Sequence, residues 1–283
     1  MRDDIVLWDG PNGTPLWNKA REHGYPEVPV WIYSMEHPEI VEEMDREYVA
    51  AGADIVLANT FAANPPAVRH ASGYDPREVI RTAVGITKKA LAGTDVRLGL
   101  AVGPLSAILE PYGDLTEGEC RAAFEEMIGE GVDAGAQLFY IQTFLDINMM
   151  RIATEIASQY HLPMFCSMAL QKNGRTVMGA SIDDIIRTFE PMGVEAVGFN
   201  CTLGPDMVLP LVREFAAKTD LPIVLKPNAG LPRYGGSGAG SDPVSFARTI
   251  APALDYVKYI GGCCGCDPSY TAEMRKLIDT GNV

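Results

Sequence analysis

Eight short apolar runs, each closed by a small polar cluster and followed by a helical pattern, divide this chain. The runs are Ile5–Trp8, Ile55–Ala58, Val96–Val102, Gln137–Ile141, Met164–Ala169, Ala196–Phe199, Ile223–Leu225 and Tyr256–Ile260. Between them lie segments with apolar residues on one face at helical spacing, such as Pro38–Ala51 and Pro76–Leu91. Thr116 and Glu119 resemble a capping box opening a helix to about Asp133. Asp146, Asp242 and Asp267 stand where helices towards Ser158, Ala253 and the C-terminus need N-caps, and Ser181–Phe189 and Asp206–Lys218 complete the set. Strands separated by helices pair in parallel through right-handed crossovers. Eight such units in 283 residues predict one closed (β/α)8 TIM barrel, a single domain over residues 1–283. A doubly wound open sheet is the competing architecture, but no phosphate-binding glycine fingerprint follows the first run.

A barrel of this kind carries its active site at the C-terminal ends of the strands. The polar clusters fall there: Asp9-Gly10, Asn59-Thr60, Gln142-Thr143, Asn200-Cys201, Asn228 and Cys263-Cys264. Turn and capping chemistry uses the same residue types, so their shared location carries the argument. The cysteines are the most specific. Adjacent thiols bridge poorly to each other, because a disulfide needs Cβ atoms facing across a gap. Both can reach one soft metal ion, and the glycines around Cys263-Cys264 let the backbone turn about it. Cys201 ends another strand-like run in the same way and supplies a third thiolate. Three thiolates with one vacant position describe an open zinc site. Lone free cysteines are often small core residues, which suits Cys120 and Cys166.

The formal net charge of −14 argues against nucleic acid as a partner. No apolar run approaches a membrane span. The N-terminus passes almost directly into the first run without a leader pattern, which makes the cytoplasm the expected compartment, where thiols stay reduced. A homo-oligomer is compatible with these features. The glycine-rich stretch 235–241 has neither fixed spacing nor a basic cluster and reads as a loop, not a phosphate site.

Several of these motifs together resemble the homocysteine S-methyltransferase family, over essentially the whole chain. They are Asp9-Gly10 with Gly13-Thr14, Asp54 ahead of Asn59-Thr60-Phe61, Gly198 with Asn200-Cys201, Lys226-Pro227-Asn228 with Gly230, and Gly261 to Gly265. The resemblance implies a (β/α)8 barrel whose zinc is held by residues matching Cys201, Cys263 and Cys264. It implies a small-molecule thiol acceptor, with Asp9, Gly10, Thr60, Gln142, Asn200 and Asn228 as candidate substrate-binding residues. Three positions depart from the pattern. Pro11 replaces a small residue. Gln142 stands where the family has a glutamate for the ammonium of homocysteine, and Met149 where a second glutamate is common.

The activity so implied is methyl transfer to homocysteine or a related thiol. The donor is an onium compound or a methylated corrinoid carried by a separate protein, since 283 residues leave no room for a cobalamin or folate domain. The substitutions at Gln142 and Met149 suggest, as the alternative, a zinc-binding or thiol-sensing member without methyltransferase activity. Thiol redox chemistry through Cys264 and Cys266 is a further reading; their spacing is not the usual Cys-x-x-Cys.

Overall fold

The structure is a computed structural model, described for residues 4–230 and 240–281. Residues 235–239 of the glycine-rich stretch lie outside the described residues. The strands are β1 (Val6–Leu7), β2 (Ile55–Leu57), β3 (Arg97–Val102), β4 (Leu138–Phe144), β5 (Met164–Met168), β6 (Ala196–Asn200), β7 (Ile223–Lys226) and β8 (Tyr259–Ile260). All pair in parallel in the order β1-β8-β7-β6-β5-β4-β3-β2. A parallel bridge from Trp8 to Ile55, with Asp9 N–H donating to Ile55 O at 2.9 Å, joins the two ends of the sheet. The result is a (β/α)8 TIM barrel, as the alternation predicts.

Around it, among the described residues, run α1 (Gly13–His23), α2 (Val30–Glu36), α3 (Pro38–Ala50), α4 (Pro65–Ala71), α5 (Pro76–Ala90), α6 (Glu117–Ala134), α7 (Ile147–Ser158), α8 (Ile182–Phe189), α9 (Leu209–Ala216), α10 (Pro243–Ile250) and α11 (Pro268–Thr280). The expected caps form. Thr116 and Glu119 make the reciprocal capping box of α6, and Asp146, Asp242 and Asp267 each accept a first-turn N–H.

Side-chain parity decides what enters the barrel. Leu138, Tyr140 and Gln142 of β4 share one face, and Phe139 and Ile141 pack outwards against helices. The same parity turns Ser167, Asn200 and Lys226 inwards on β5, β6 and β7. Trp8, Tyr140, Phe165 and Tyr259 make an aromatic floor, with Trp8 ring centroids 4.7 Å from Tyr140 and 5.0 Å from Phe165. The polar inward residues sit towards the C-terminal ends. An apolar lower barrel with a polar mouth thus follows from which residue of each strand has inward parity.

Asp45 of α3 departs from this order. It is fully buried, and neither carboxylate oxygen has a partner among the described residues. Burial pushes its carboxyl well above the usual value of 3.8, and the charges of Asp9 and Glu42 add to this. A carboxyl with a raised folded pKa stabilises fully below its unfolded pKa and loses that stability as pH rises. Asp45→Asn is therefore expected to be more thermostable than the wild type at about pH 7.5, with the advantage shrinking towards about pH 4. Thermal melts at the two pH values check this; an advantage independent of pH would contradict it.

Candidate metal centre

The Sγ atoms of Cys201, Cys263 and Cys264 lie within 4.8 Å of one another at the mouth of the barrel. Cys201 follows β6 and the pair follows β8. The strand order places β7 between them, and β7 is followed directly by Pro227 and Asn228. Cys263 N–H donates to Pro227 O at 2.8 Å, and Ala229 N–H to Cys264 O at 3.0 Å, so the two loops are laced together. Gly265 turns with φ of 83°, a conformation open to glycine.

The Sγ atoms of Cys201 and Cys264 are 3.7 Å apart. Zinc–sulfur bonds of about 2.3 Å in a tetrahedron set sulfurs about 3.8 Å apart. The spacing therefore fits a zinc ion. The donor chemistry fits as well, since three cysteine sulfurs facing one point are the soft ligands that zinc takes. Cys201 accepts from the thiols of Cys263 and Cys264, which holds its own thiol down to about 3. Bonding to Cys201 pushes Cys264 up to about 12 and raises Cys263 well above its ordinary value. The Asn228 side chain supports the Cys201 thiolate, while its buried Oδ1 has no partner among the described residues.

The other sequence-selected residues divide by surroundings. Gln142 is 8% exposed and lies within β4, inward-facing, not in a loop after it. Asn200 is fully buried and reaches Cys263 Sγ at 3.8 Å. Thr60 is buried and donates to Ala101 O at 2.9 Å. Asp9 is buried, accepting from Leu57 N–H at 2.7 Å and from Lys226 Nζ at 2.9 Å. Burial raises the Asp9 carboxyl above its usual range, and Lys226 and the Leu57 N–H pull against it. Gly10 lies against the Tyr48 hydroxyl, leaving no room for a Cβ. Met149 is a core residue of α7, 4% exposed. Cys266 is buried beneath Gly262, 2.7 Å from where a Cβ there would stand, and burial raises its thiol.

Two features have no signal in the residue pattern. Lys226 is only 2% exposed and projects into the barrel over the Trp8 and Tyr140 rings, 5.6 and 5.4 Å from their centroids. Thr143, Cys201 and Thr202 have φ of 64°, 60° and 53°. Non-glycine residues held there carry backbone strain, which clusters at functional sites. At Thr143 the cause is visible, since the pairing of β4 with β5 shifts register between Gln142 and Phe144. A cavity of about 250 Å3 is lined in part by Gly204, Asp206, Met207, Ala229 and Ser241.

Methionine synthases of Mycobacterium tuberculosis and Mycobacterium leprae are each 27% identical to the chain, over 265 and 266 residues. The match covers 87% of this chain but 22% of either relative, so the chain spans about a fifth of their length. Crystal structures of the homocysteine methyltransferase MmuM from Escherichia coli share the fold. The TM-score is 0.80 for the oxidised form and 0.77 for the metallated form, each at 22% identity over 96% of both chains. A family model described as homocysteine S-methyltransferase matches residues 6–278, nearly the full length, and the chain belongs to that family.

Proposed function

We propose that this chain is a zinc-dependent S-methyltransferase whose acceptor is the thiol of homocysteine. The observation that carries the reading is the set of three cysteine Sγ atoms within 4.8 Å at the mouth of the barrel. The names of the relatives and the metallated form of the E. coli enzyme support it. Cys201, Cys263 and Cys264 would hold the zinc, and the barrel over residues 1–283 would be one catalytic domain.

A free thiol has a pKa near about 8.5 and is mostly protonated at neutral pH. Bound zinc supplies one thing, an acceptor sulfur kept as a thiolate. That sulfur attacks the donor methyl carbon in line. A sulfur–carbon bond forms as the bond from methyl to its sulfonium, ammonium or cobalt leaving group breaks. The chain's own residues position the reactants and exclude water. Gln142 faces the acceptor's polar end from β4. The Asn228 carbonyl oxygen is a buried acceptor beside the sulfurs, available to the ion or to a donor group on the substrate. Asp9, its two oxygens taken by Leu57 N–H and Lys226, holds the wall of the site, and Gly10 and Thr60 shape it. The donor is an onium compound or a methylated corrinoid.

The test uses reduced, zinc-loaded protein with homocysteine and one of S-methylmethionine, glycine betaine or methylcobalamin. Methionine formed from at least one donor, detected by mass spectrometry, is expected. Zinc bound at full stoichiometry with no methyl moved to any thiol would contradict the proposal.

Gln142 gives a sharper expectation. Its amide can accept from the homocysteine ammonium but carries no charge. A hydrogen bond to the charged ammonium contributes about 1.5–3 kcal/mol already, and a carboxylate in place of the amide adds the attraction of a second charge, a net gain on the order of 1 kcal/mol. Gln142→Glu should therefore tighten homocysteine by up to about tenfold without changing zinc content. The same carboxylate, desolvated without a partner, should weaken a mercapto acid that lacks an amino group. KM for both thiols on both proteins decides the matter. Weaker homocysteine binding by the variant would show that the ammonium does not face residue 142.

A further inference from the structure

All four hydrogen-bonding directions of the Asn200 side chain are in use. Oδ1 accepts from Thr143 N–H at 3.0 Å and from the Ser167 hydroxyl at 2.7 Å. Nδ2 donates to Thr143 Oγ1 at 2.7 Å and towards Cys263 Sγ at 3.8 Å. A backbone N–H can only donate, so the amide oxygen must face Thr143 N–H, and the NH2 group is left facing the sulfur. Ser167 Oγ lies 2.9 Å from the Tyr140 hydroxyl. Asn200 Oδ1 carries no proton, so Ser167 gives its single proton there and accepts from Tyr140. Tyr140, Ser167 and Asn200 are each fully buried. A chain of donors thus runs in one direction, from Tyr140 through Ser167 and Asn200 to Cys263. Bonds aligned this way polarise one another in a low-dielectric interior.

We propose that Asn200 is a positioning residue, and not a substrate contact. Its NH2 group, polarised through Ser167 and Tyr140, donates to Cys263 Sγ and limits the charge that sulfur gives the metal. The inference rests on the metal reading of the three cysteines. The same side chain clamps the strained Thr143, so it ties the Cys263 loop to the strand end that carries Gln142. Partners outside the ligand shell orient ligands and tune them. An N–H donated to sulfur lowers its lone pairs, so removing the donor brings sulfur-to-metal charge transfer to lower energy.

The test loads cobalt(II) into the wild type, Asn200→Ala, Ser167→Ala and Ser167→Thr. The thiolate-to-cobalt band should move to longer wavelength in Asn200→Ala and less far in Ser167→Ala. Ser167→Thr, which keeps a hydroxyl, should return it towards the wild-type position. Cobalt should remain at about one per chain in all four, matching the one three-cysteine cluster among the described residues. In the metal-free protein, Thr143 N–H should exchange with solvent about tenfold faster in Asn200→Ala, the factor one buried hydrogen bond supplies. An unmoved band in both Asn200→Ala and Ser167→Ala, with cobalt retained, would overturn the proposal. If Asn200→Ala does not fold, Ser167→Ala decides alone. A wild type with no thiolate band would overturn the metal reading and this proposal with it.

Discussion

Serine in place of Cys201, Cys263 or Cys264 is expected to abolish tight zinc binding and, with it, methyl transfer. The three sulfurs lie within 4.8 Å of one another, so each substitution removes a third of the protein's thiolate donors. Zinc held by a full ligand set contributes about 10–16 kcal/mol, and losing one ligand removes several of those. Zinc affinity should fall by roughly two to three orders of magnitude. A serine hydroxyl does not restore it, because it stays protonated where a thiol would not. Cys120→Ser and Cys166→Ser are the controls. Burial pushes those thiols up to about 11 and about 12, and they pack outside the cluster. Zinc content by elemental analysis and methyl transfer should both separate the two groups. Full zinc retention in a Cys263→Ala/Cys264→Ala double variant would contradict the assignment.

Lys226→Met should have the largest effect on stability. The Lys226–Asp9 pair is 2.9 Å long, with side chains 3% and 0% exposed. Breaking a buried pair from one side strands the other charge and costs about 3–5 kcal/mol. Asp9 keeps only Leu57 N–H as a partner in that variant. Replacing both members by apolar residues of similar volume is often near neutral. Asp9→Leu/Lys226→Met should therefore melt higher than Lys226→Met alone. A single variant within about 1 kcal/mol of the wild type would mean that the pair is solvated.

The barrel was legible because parallel strands need long crossovers, and those crossovers carry helical periodicity. What blurred was local. Tyr256–Ile260 looks like one strand, but only Tyr259–Ile260 pair, since Ala251–Asp255 form a 3-10 turn and Tyr256 lies beyond it, 37% exposed. The stretch before Pro38 reads as polar, yet it holds α1 and α2, and α4 follows Asn64; tertiary packing, more than strong amphipathicity, fixes them. Asp206–Lys218 shortens to α9 because residues 205–207 turn first. The cysteines were legible because adjacent thiols between glycines have few other uses. Lys226 was not, since a lysine at a strand end ordinarily reaches solvent, and only the inward parity of β7 brings it under the site. The bulge at Thr143 was equally hidden, as threonine gives no signal of a left-handed backbone.

Zinc X-ray absorption of the loaded protein, with and without homocysteine, tests the central claim most directly. Without the thiol, the account predicts three sulfur ligands from Cys201, Cys263 and Cys264 and a lighter fourth ligand, oxygen or nitrogen. With homocysteine at saturation it predicts a fourth sulfur in place of that lighter atom. A coordination shell unchanged by homocysteine, or one with fewer than three sulfurs at the outset, would contradict it.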